Sequence, residues 1–194
     1  MLAFKELLRS GIQLALVVTG YGRRNEKRRV VRQIKDLNLE DSVILTGYVD
    51  ACDLPFFYGA SSVVIYPSLY EGFGLPVVES MASGAPLVVS NTSSLPEVVG
   101  NAGLFVDPNN PIAIADAVRR LLADDNVRQT NISRGLKRAE FFRWDRIVMK
   151  TVQVYRDVLS NRAENPEFTK PHENVAGQIE ARQQLSIKEN RREF

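Results

Sequence analysis

The chain has 194 residues, 44% of them hydrophobic, and a formal net charge of +2. This is enough to bury most of the apolar surface of one domain, and the near-neutral charge gives no general case for nucleic acid. Cys52 and His172 are the only cysteine and histidine, which excludes an internal disulfide framework, a His–Cys metal cluster and a Ser-His-Asp triad.

Residues 2–9 read as the end of a helix with Leu2, Phe4, Leu7 and Leu8 on one side. Leu14–Val18 is a continuous apolar run, expected to be a strand covered on both faces, and it ends in a turn at Thr19, Gly20, Tyr21 and Gly22. A charged helix follows over 24–37, with Val30, Val31, Ile34 and Leu37 inward. Its basic residues Arg23, Arg24, Lys27, Arg28, Arg29, Arg32 and Lys35 would attract phosphates or an anionic membrane, or simply form a solvated face.

Val43–Leu45 is a second strand, closed by Gly47, Tyr48 and Val49. Asp50 is placed to cap a helix over 51–59, unless Pro55 makes it start later. Then come a strand at 63–66, a helix at 76–83, a strand at 87–90, a short helix at 95–99 and a strand at 104–106. Asp107 and Pro108 turn the chain into helices at 111–123, about 125–139 and 144–159. Alternating strands and helices predict an α/β fold, a parallel sheet with helices on both faces. Such sheets bind ligands beyond the carboxyl ends of their strands, where Gly20, Tyr48, Val49, Ser68 and the loop 71–75 fall.

The domain is expected to span 1–160, with 161–194 a polar tail, disordered or loosely helical. No apolar run is long enough to span a membrane, and the amphipathic start is too short for a signal peptide. A cytoplasmic protein with at most peripheral membrane contact is the expectation.

The most specific stretch is Ser68–Glu79. An apolar strand enters a glycine-punctuated loop, and a helix opens at Pro76, placed here at the first helical position. Gly72 and Gly74 let the backbone approach a ligand closely. The free N–H groups of the first helical turn suit an anion. Glu71 and Glu79 bracket the loop with Glu-x7-Glu spacing, and Glu79 is read as lying in the first helical turn. Helix-dipole complement for Glu79 and a solvated loop charge for Glu71 are the plain alternatives. An anion site beside carboxylates points to a phosphorylated sugar or a nucleotide.

The run Glu71–Val88 resembles the donor motif of group 1 retaining glycosyltransferases of the GT-B fold. Ser93–Gly100, Ala102–Pro108 and Phe142–Trp144 are similar to the same family in the same order. The resemblance implies a Rossmann-like C-terminal donor lobe that binds a nucleotide diphosphate sugar such as a GDP- or UDP-sugar. It implies hexose transfer to an acceptor hydroxyl with retention, in polysaccharide or glycoconjugate synthesis. Glu79 would take the ribose hydroxyls and Glu71 the donor sugar. The backbone of Gly72, Phe73, Gly74 and Leu75 would take the sugar and the diphosphate, so no metal is needed there. Backbone groups near Tyr48 and Val49 would touch the base. The Ser93–Pro108 pattern resembles mannosyl- and glucosyltransferases of surface polysaccharide pathways.

The family pattern also has a strand and a basic loop ahead of the first helix, and these have no counterpart here. The first strand is central in the order 3-2-1-4-5-6, so the strands at 14–18 and 63–66 are expected to pair directly, be bridged by another chain, or leave open edges. An N-terminal acceptor-binding lobe is also expected from elsewhere, on another chain if need be. A non-catalytic nucleotide-sugar module, an inactive fragment and a distant epimerase-like member remain alternatives.

Overall fold

The computed structural model describes residues 1–20 and 24–164. Tyr21, Gly22 and Arg23 in the first turn, and the expected tail from 165 onward, lie outside the described residues. The chain divides into two compact units, Met1–Arg143 and a second beginning at Trp144.

In the first unit, α1 (Leu2–Arg9) leads into β1 (Leu16–Thr19), α2 (Arg24–Asp36), β2 (Val43–Gly47), α3 (Leu54–Ala60) and β3 (Val64–Tyr66). Then follow α4 (Leu75–Ala82), β4 (Leu87–Ser90), α5 (Leu95–Val99), β5 (Leu104–Val106), α6 (Pro111–Ala123) and α7 (Asp125–Ala139). A 3-10 turn at Glu140–Phe142 closes the unit. In the second unit α8 runs over Trp144–Glu164, so residues 161–164 of the expected tail continue the closing helix.

All strand pairs are parallel, as the alternation of strands and helices requires. They form two separate sheets, β1–β2 and β3–β4–β5. β1 and β3 do not pair directly; of the outcomes expected for these strands, open facing edges is the one seen within this chain. β4 is buried along its whole length, the pattern of a strand covered on both faces. β1 is not. Its burial alternates, and the register partners Val17 and Ile44 are 43% and 54% exposed. The apolar run at 14–18 is therefore covered on one face only, contrary to expectation. On α2, Ile34 is buried, while Val31 points outward rather than inward.

α3 also corrects the sequence reading. The residue preceding it is Asp53, and Pro55 is its second residue, where a missing N–H costs nothing. Asp50 instead accepts backbone bonds from Asp53 and Leu54 in the turn before. Elsewhere caps follow the sequence closely. The Asn110 side chain accepts from the N–H groups of Ile112 and Ala113, and that of Asp124 accepts from Asn126 and Val127.

Three apolar clusters hold the unit. Val77, Met81, Leu87, Val89, Leu95 and Val99 lie between the three-stranded sheet and α4, α5 and α7. Val88, Val106, Ile114, Ala115, Val118 and Leu121 pack with Leu7 of α1. Ile34 and Leu39 pack with Phe4 of α1 over the β1–β2 sheet. Phe4 and Leu7 share one face of α1 at i, i+3 spacing, so a single short helix is fastened to both sheets. The buried Asn131 of α7 accepts from the Leu87 N–H at 2.9 Å, tying α7 to the start of β4.

Leu7→Ala is expected to lower the unfolding free energy by roughly 2–5 kcal/mol, the usual cost of emptying a buried leucine site. Leu2→Ala, on the exposed side of the same helix, should change it by no more than about 0.5 kcal/mol. Urea denaturation of both variants checks the contrast.

Candidate functional site

The loop after β3 is held from its own strand and from the next one. Tyr66, the last residue of β3, donates its hydroxyl to Glu71 Oε1 at 2.7 Å, and Ser68 Oγ donates to the same oxygen at 2.9 Å. The Glu71 N–H donates to Ser93 Oγ at 3.0 Å, and Ser94 Oγ donates to the Glu71 carbonyl at 2.9 Å. Thr92 Oγ1 donates to the Ser68 carbonyl at 3.1 Å. The loop after β4 thus clasps the loop after β3. Ser93 takes a positive φ of 52° to do so, a backbone conformation uncommon for a residue with a side chain. Glu71 Oε2 accepts no hydrogen bond among the described residues.

Gly74 precedes α4 with φ 94°, and a Cβ there would stand 2.8 Å from Leu95 Cδ2, so glycine is required twice over. Gly72 has no such constraint; a Cβ on it would meet nothing within 4 Å. The backbone N–H groups of Gly72, Phe73, Gly74 and Leu75 donate to nothing among the described residues. Pro76 is the second helical residue rather than the first. Glu79 is the fifth, beyond the first turn, so it does not sit where a carboxylate best complements the helix dipole.

Phe73 is 41% exposed and meets the Phe142 ring edge-on, with centroids 5.6 Å apart. The Arg138 guanidinium lies 5.1 Å from the Phe142 centroid. It also donates to the carbonyls of Val98 at 2.9 Å and Glu97 at 2.6 Å near the end of α5. One arginine therefore braces both α5 and the aromatic pair behind the loop.

Glu79 Oε2 accepts from the Tyr58 hydroxyl of α3 at 3.2 Å, and Oε1 accepts nothing among the described residues. Burial, then the charge of Glu79 and this bond, push the Tyr58 phenol up to about 12. Burial, then the bond to Glu71 and its charge, push Tyr66 up as well.

Ser68, Glu71, Gly72, Phe73, Gly74, Leu75 and Glu79 are gathered at the carboxyl end of β3. Gly20, Tyr48 and Val49 are gathered separately, at the ends of β1 and β2. There the Gly20 N–H donates to the Gly47 carbonyl at 2.8 Å, and Gly20 takes φ 113°. The two groups belong to different sheets, and α3, which begins shortly after Val49, reaches Glu79 through Tyr58. Sequence reasoning missed Tyr58, Tyr66, Thr92 and Arg138. Tyr66 reads as an apolar strand residue, and the partners of Tyr58, Thr92 and Arg138 are more than twenty positions away.

Two clefts lie elsewhere. One of about 500 Å³ runs between Lys5 and Arg9 of α1 and the Asp107–Ile112 segment. One of about 260 Å³ is lined by Asn101, Arg120, Thr130 and Arg134. Neither includes Glu71 or Glu79. The paired carboxylates and unpaired N–H groups make the open surface at the strand ends the stronger candidate.

A Rossmann-like α/β unit with donor-rich loops at the carboxyl ends of parallel strands defines a domain that holds its ligand at that end of the sheet. Residues 1–138 match the family described as glycosyl transferases group 1; the chain belongs to that family, as a C-terminal domain of the GT-B type. It is 39% identical over 142 residues to the O-antigen chain mannosyltransferase B of Escherichia coli, covering 73% of this chain and 37% of that protein. Among solved structures, sucrose-phosphate synthase from Thermosynechococcus elongatus superposes with a TM-score of 0.74 at 30% identity, over 82% of this chain and 42% of that one. The C-terminal domain of a glycosyl transferase group 1 family protein from Francisella tularensis gives 0.62 at 27% identity, over 72% of this chain and 74% of that domain. The chain spans about a third of the length of the curated relatives it matches.

The two phenols give the site an alkaline signature. An unfolded tyrosine loses its proton near pH 10, while folded Tyr58 keeps it to about 12. The contribution to stability is therefore complete below pH 10 and is lost as pH rises through about 12. Urea midpoints from pH 9 to 12 should fall across that window, and Tyr58→Phe should flatten the fall.

Proposed function

We propose that this domain binds the donor of a retaining hexosyl transfer, a nucleotide diphosphate sugar, and acts with an N-terminal acceptor-binding lobe in polysaccharide or glycoconjugate synthesis. One observation carries this reading. Two carboxylates, each tethered to a tyrosine through one oxygen and, among the described residues, open at the other, flank four consecutive N–H groups without a partner among those residues.

Free carboxylate oxygens accept from hydroxyls, and unpaired N–H groups donate to phosphate oxygens. Glu79 would take the ribose hydroxyls and Glu71 Oε2 a hydroxyl of the donor sugar. Gly20, Tyr48 and Val49 would lie beside the base. When the anomeric C–O bond breaks, its electron pair leaves with the nucleotide diphosphate. The N–H groups of Gly72, Phe73, Gly74 and Leu75 would stabilise that charge without a metal ion. Glu71 would offset the positive charge developing at the anomeric carbon. The E. coli relative's name, an O-antigen chain mannosyltransferase, supports a surface polysaccharide product.

A ligand that binds only the folded state raises the melting midpoint with its occupancy. Melts of the 194-residue chain with UDP, GDP and their sugar conjugates should show a shift with one nucleotide. Glu79→Ala should weaken that nucleotide about 10- to 100-fold, the worth of a hydrogen bond to a charged group. Equal shifts in the variant would remove Glu79 from the site, and no shift with any ligand would overturn the donor reading.

Gly72→Ala separates ligand contact from folding. With an ordinary φ and no neighbour within 4 Å of a Cβ, it should leave the ligand-free melt unchanged and weaken nucleotide sugar binding. Gly74→Ala should lower the melt itself, by roughly 1–3 kcal/mol of backbone strain.

A further inference from the structure

Glu79 lies on the exposed side of α4, and a glutamate there has three soft side-chain torsions. Untethered, it would exchange rotamers and lose entropy on meeting a ligand. The one hydrogen-bond partner of its carboxylate among the described residues is the Tyr58 hydroxyl, 3.2 Å from Oε2. Tyr58 is the more covered of the two residues. It is half-buried on α3, a helix whose start is set by Pro55 and which packs against α4. The hydroxyl makes no other hydrogen bond among the described residues. Its neutral phenol donates to Oε2 and leaves Oε1 wholly open.

We propose that Tyr58 is a positioning residue: by anchoring Oε2 it fixes the plane of the Glu79 carboxylate, and so makes the site select a sugar with two adjacent hydroxyls over one that lacks them. This rests on the nucleotide reading of the site. Two neighbouring O–H donors engage a carboxylate well only when its plane is set in advance. A ligand without those donors gains nothing from the prepared carboxylate, whose open oxygen then stays bonded to water. A free carboxylate swings back to water and discriminates weakly. Loss of the tether should therefore weaken the hydroxylated ligand and leave the deoxygenated one almost untouched, whereas loss of mere packing would weaken both.

The experiment uses the full chain and four probes, UDP, GDP and their 2′,3′-dideoxy counterparts, with affinities from calorimetry. The wild type should prefer one ribonucleotide over its dideoxy form by roughly tenfold or more, and Glu79→Ala should show no preference. Tyr58→Phe should lose roughly three- to tenfold in ribonucleotide affinity with the dideoxy affinity unchanged. The double variant should match Glu79→Ala alone, because Tyr58 acts through Glu79. The phenyl ring is retained, and the ligand-free melt checks folding. Should that melt fall, the ratio of the two affinities still reads the effect, since it does not depend on the folded fraction. Tyr58→Phe with the wild-type preference, or with both ligands weakened alike, overturns the positioning role while leaving the donor reading intact. A wild type that binds no probe, or binds each pair equally, overturns the nucleotide reading and the inference with it.

Discussion

Phe4 and Leu7 stand one turn apart on α1 and enter two different cores. Because β1 and β3 share no backbone ladder, the mutual placement of the two sheets rests on this packing. A parallel ladder would fix neighbouring strands to within a hydrogen-bond length. Side-chain contact fixes them less rigidly, through many weak attractions that together tolerate small shifts. Everything at the carboxyl ends inherits that arrangement. Gly20, Tyr48 and Val49 ride on one sheet, and Ser68–Glu79 on the other. The second tie between them is α3, which joins β2 to β3 and touches Glu79 through Tyr58. The spacing between the two groups of strand-end residues is thus set by apolar packing of α1 at one end and by α3 at the other, through its packing on α4 and the Tyr58–Glu79 bond.

Within the β3–β4–β5 half the constraint is of another kind. The loop 68–75 buries few of its own side chains, yet it is held in shape by serine and threonine hydroxyls from the loop after β4. Those bonds account for both backbone groups of Glu71, while Tyr66 of β3 and Ser68 of the loop itself hold one oxygen of its carboxylate. The strain of Ser93 and the left-handed Gly74 are part of the same device. They turn consecutive N–H groups away from intrachain partners. Under the proposed function those groups would already be aimed when a ligand covers the surface, so little reorganisation would be needed at that moment.

Much of this was legible in the sequence because it is local. Strands 87–90 and 104–106 and helices 95–99, 111–123 and 125–139 follow from runs of apolar residues, prolines and caps within a few positions. The errors arose where the decisive neighbour is distant. Leu14–Val18 looks doubly covered because an apolar run does not reveal that Val17 and Ile44 stay about half-exposed. Pro76 looked like the first helical residue because the left-handed turn at Gly74, which lets Leu75 begin the helix, depends on Leu95. Glu79 accordingly sits one residue deeper in the helix, fifth rather than fourth, than its distance from Pro76 suggested. That depth puts its carboxylate level with the Tyr58 hydroxyl of α3, a pairing across 21 positions that no local pattern encodes.

The two tyrosines also divide the labour of the surface. Both are held more firmly in the neutral form than a tyrosine in water, so at neutral pH each is a donor to its carboxylate. That leaves Glu71 Oε2 and Glu79 Oε1 to accept, while the N–H groups of residues 72–75 are left to donate. A phosphate, itself all acceptors at neutral pH, would be repelled by the carboxylates and drawn to the loop; a hydroxyl-rich ring would find its acceptors on either side. Under the proposed function, this segregation along nine consecutive residues would suit a ligand that alternates hydroxylated rings with phosphates. One phenol per carboxylate helps to maintain it, because each tether occupies one oxygen and leaves the other to accept from a ligand.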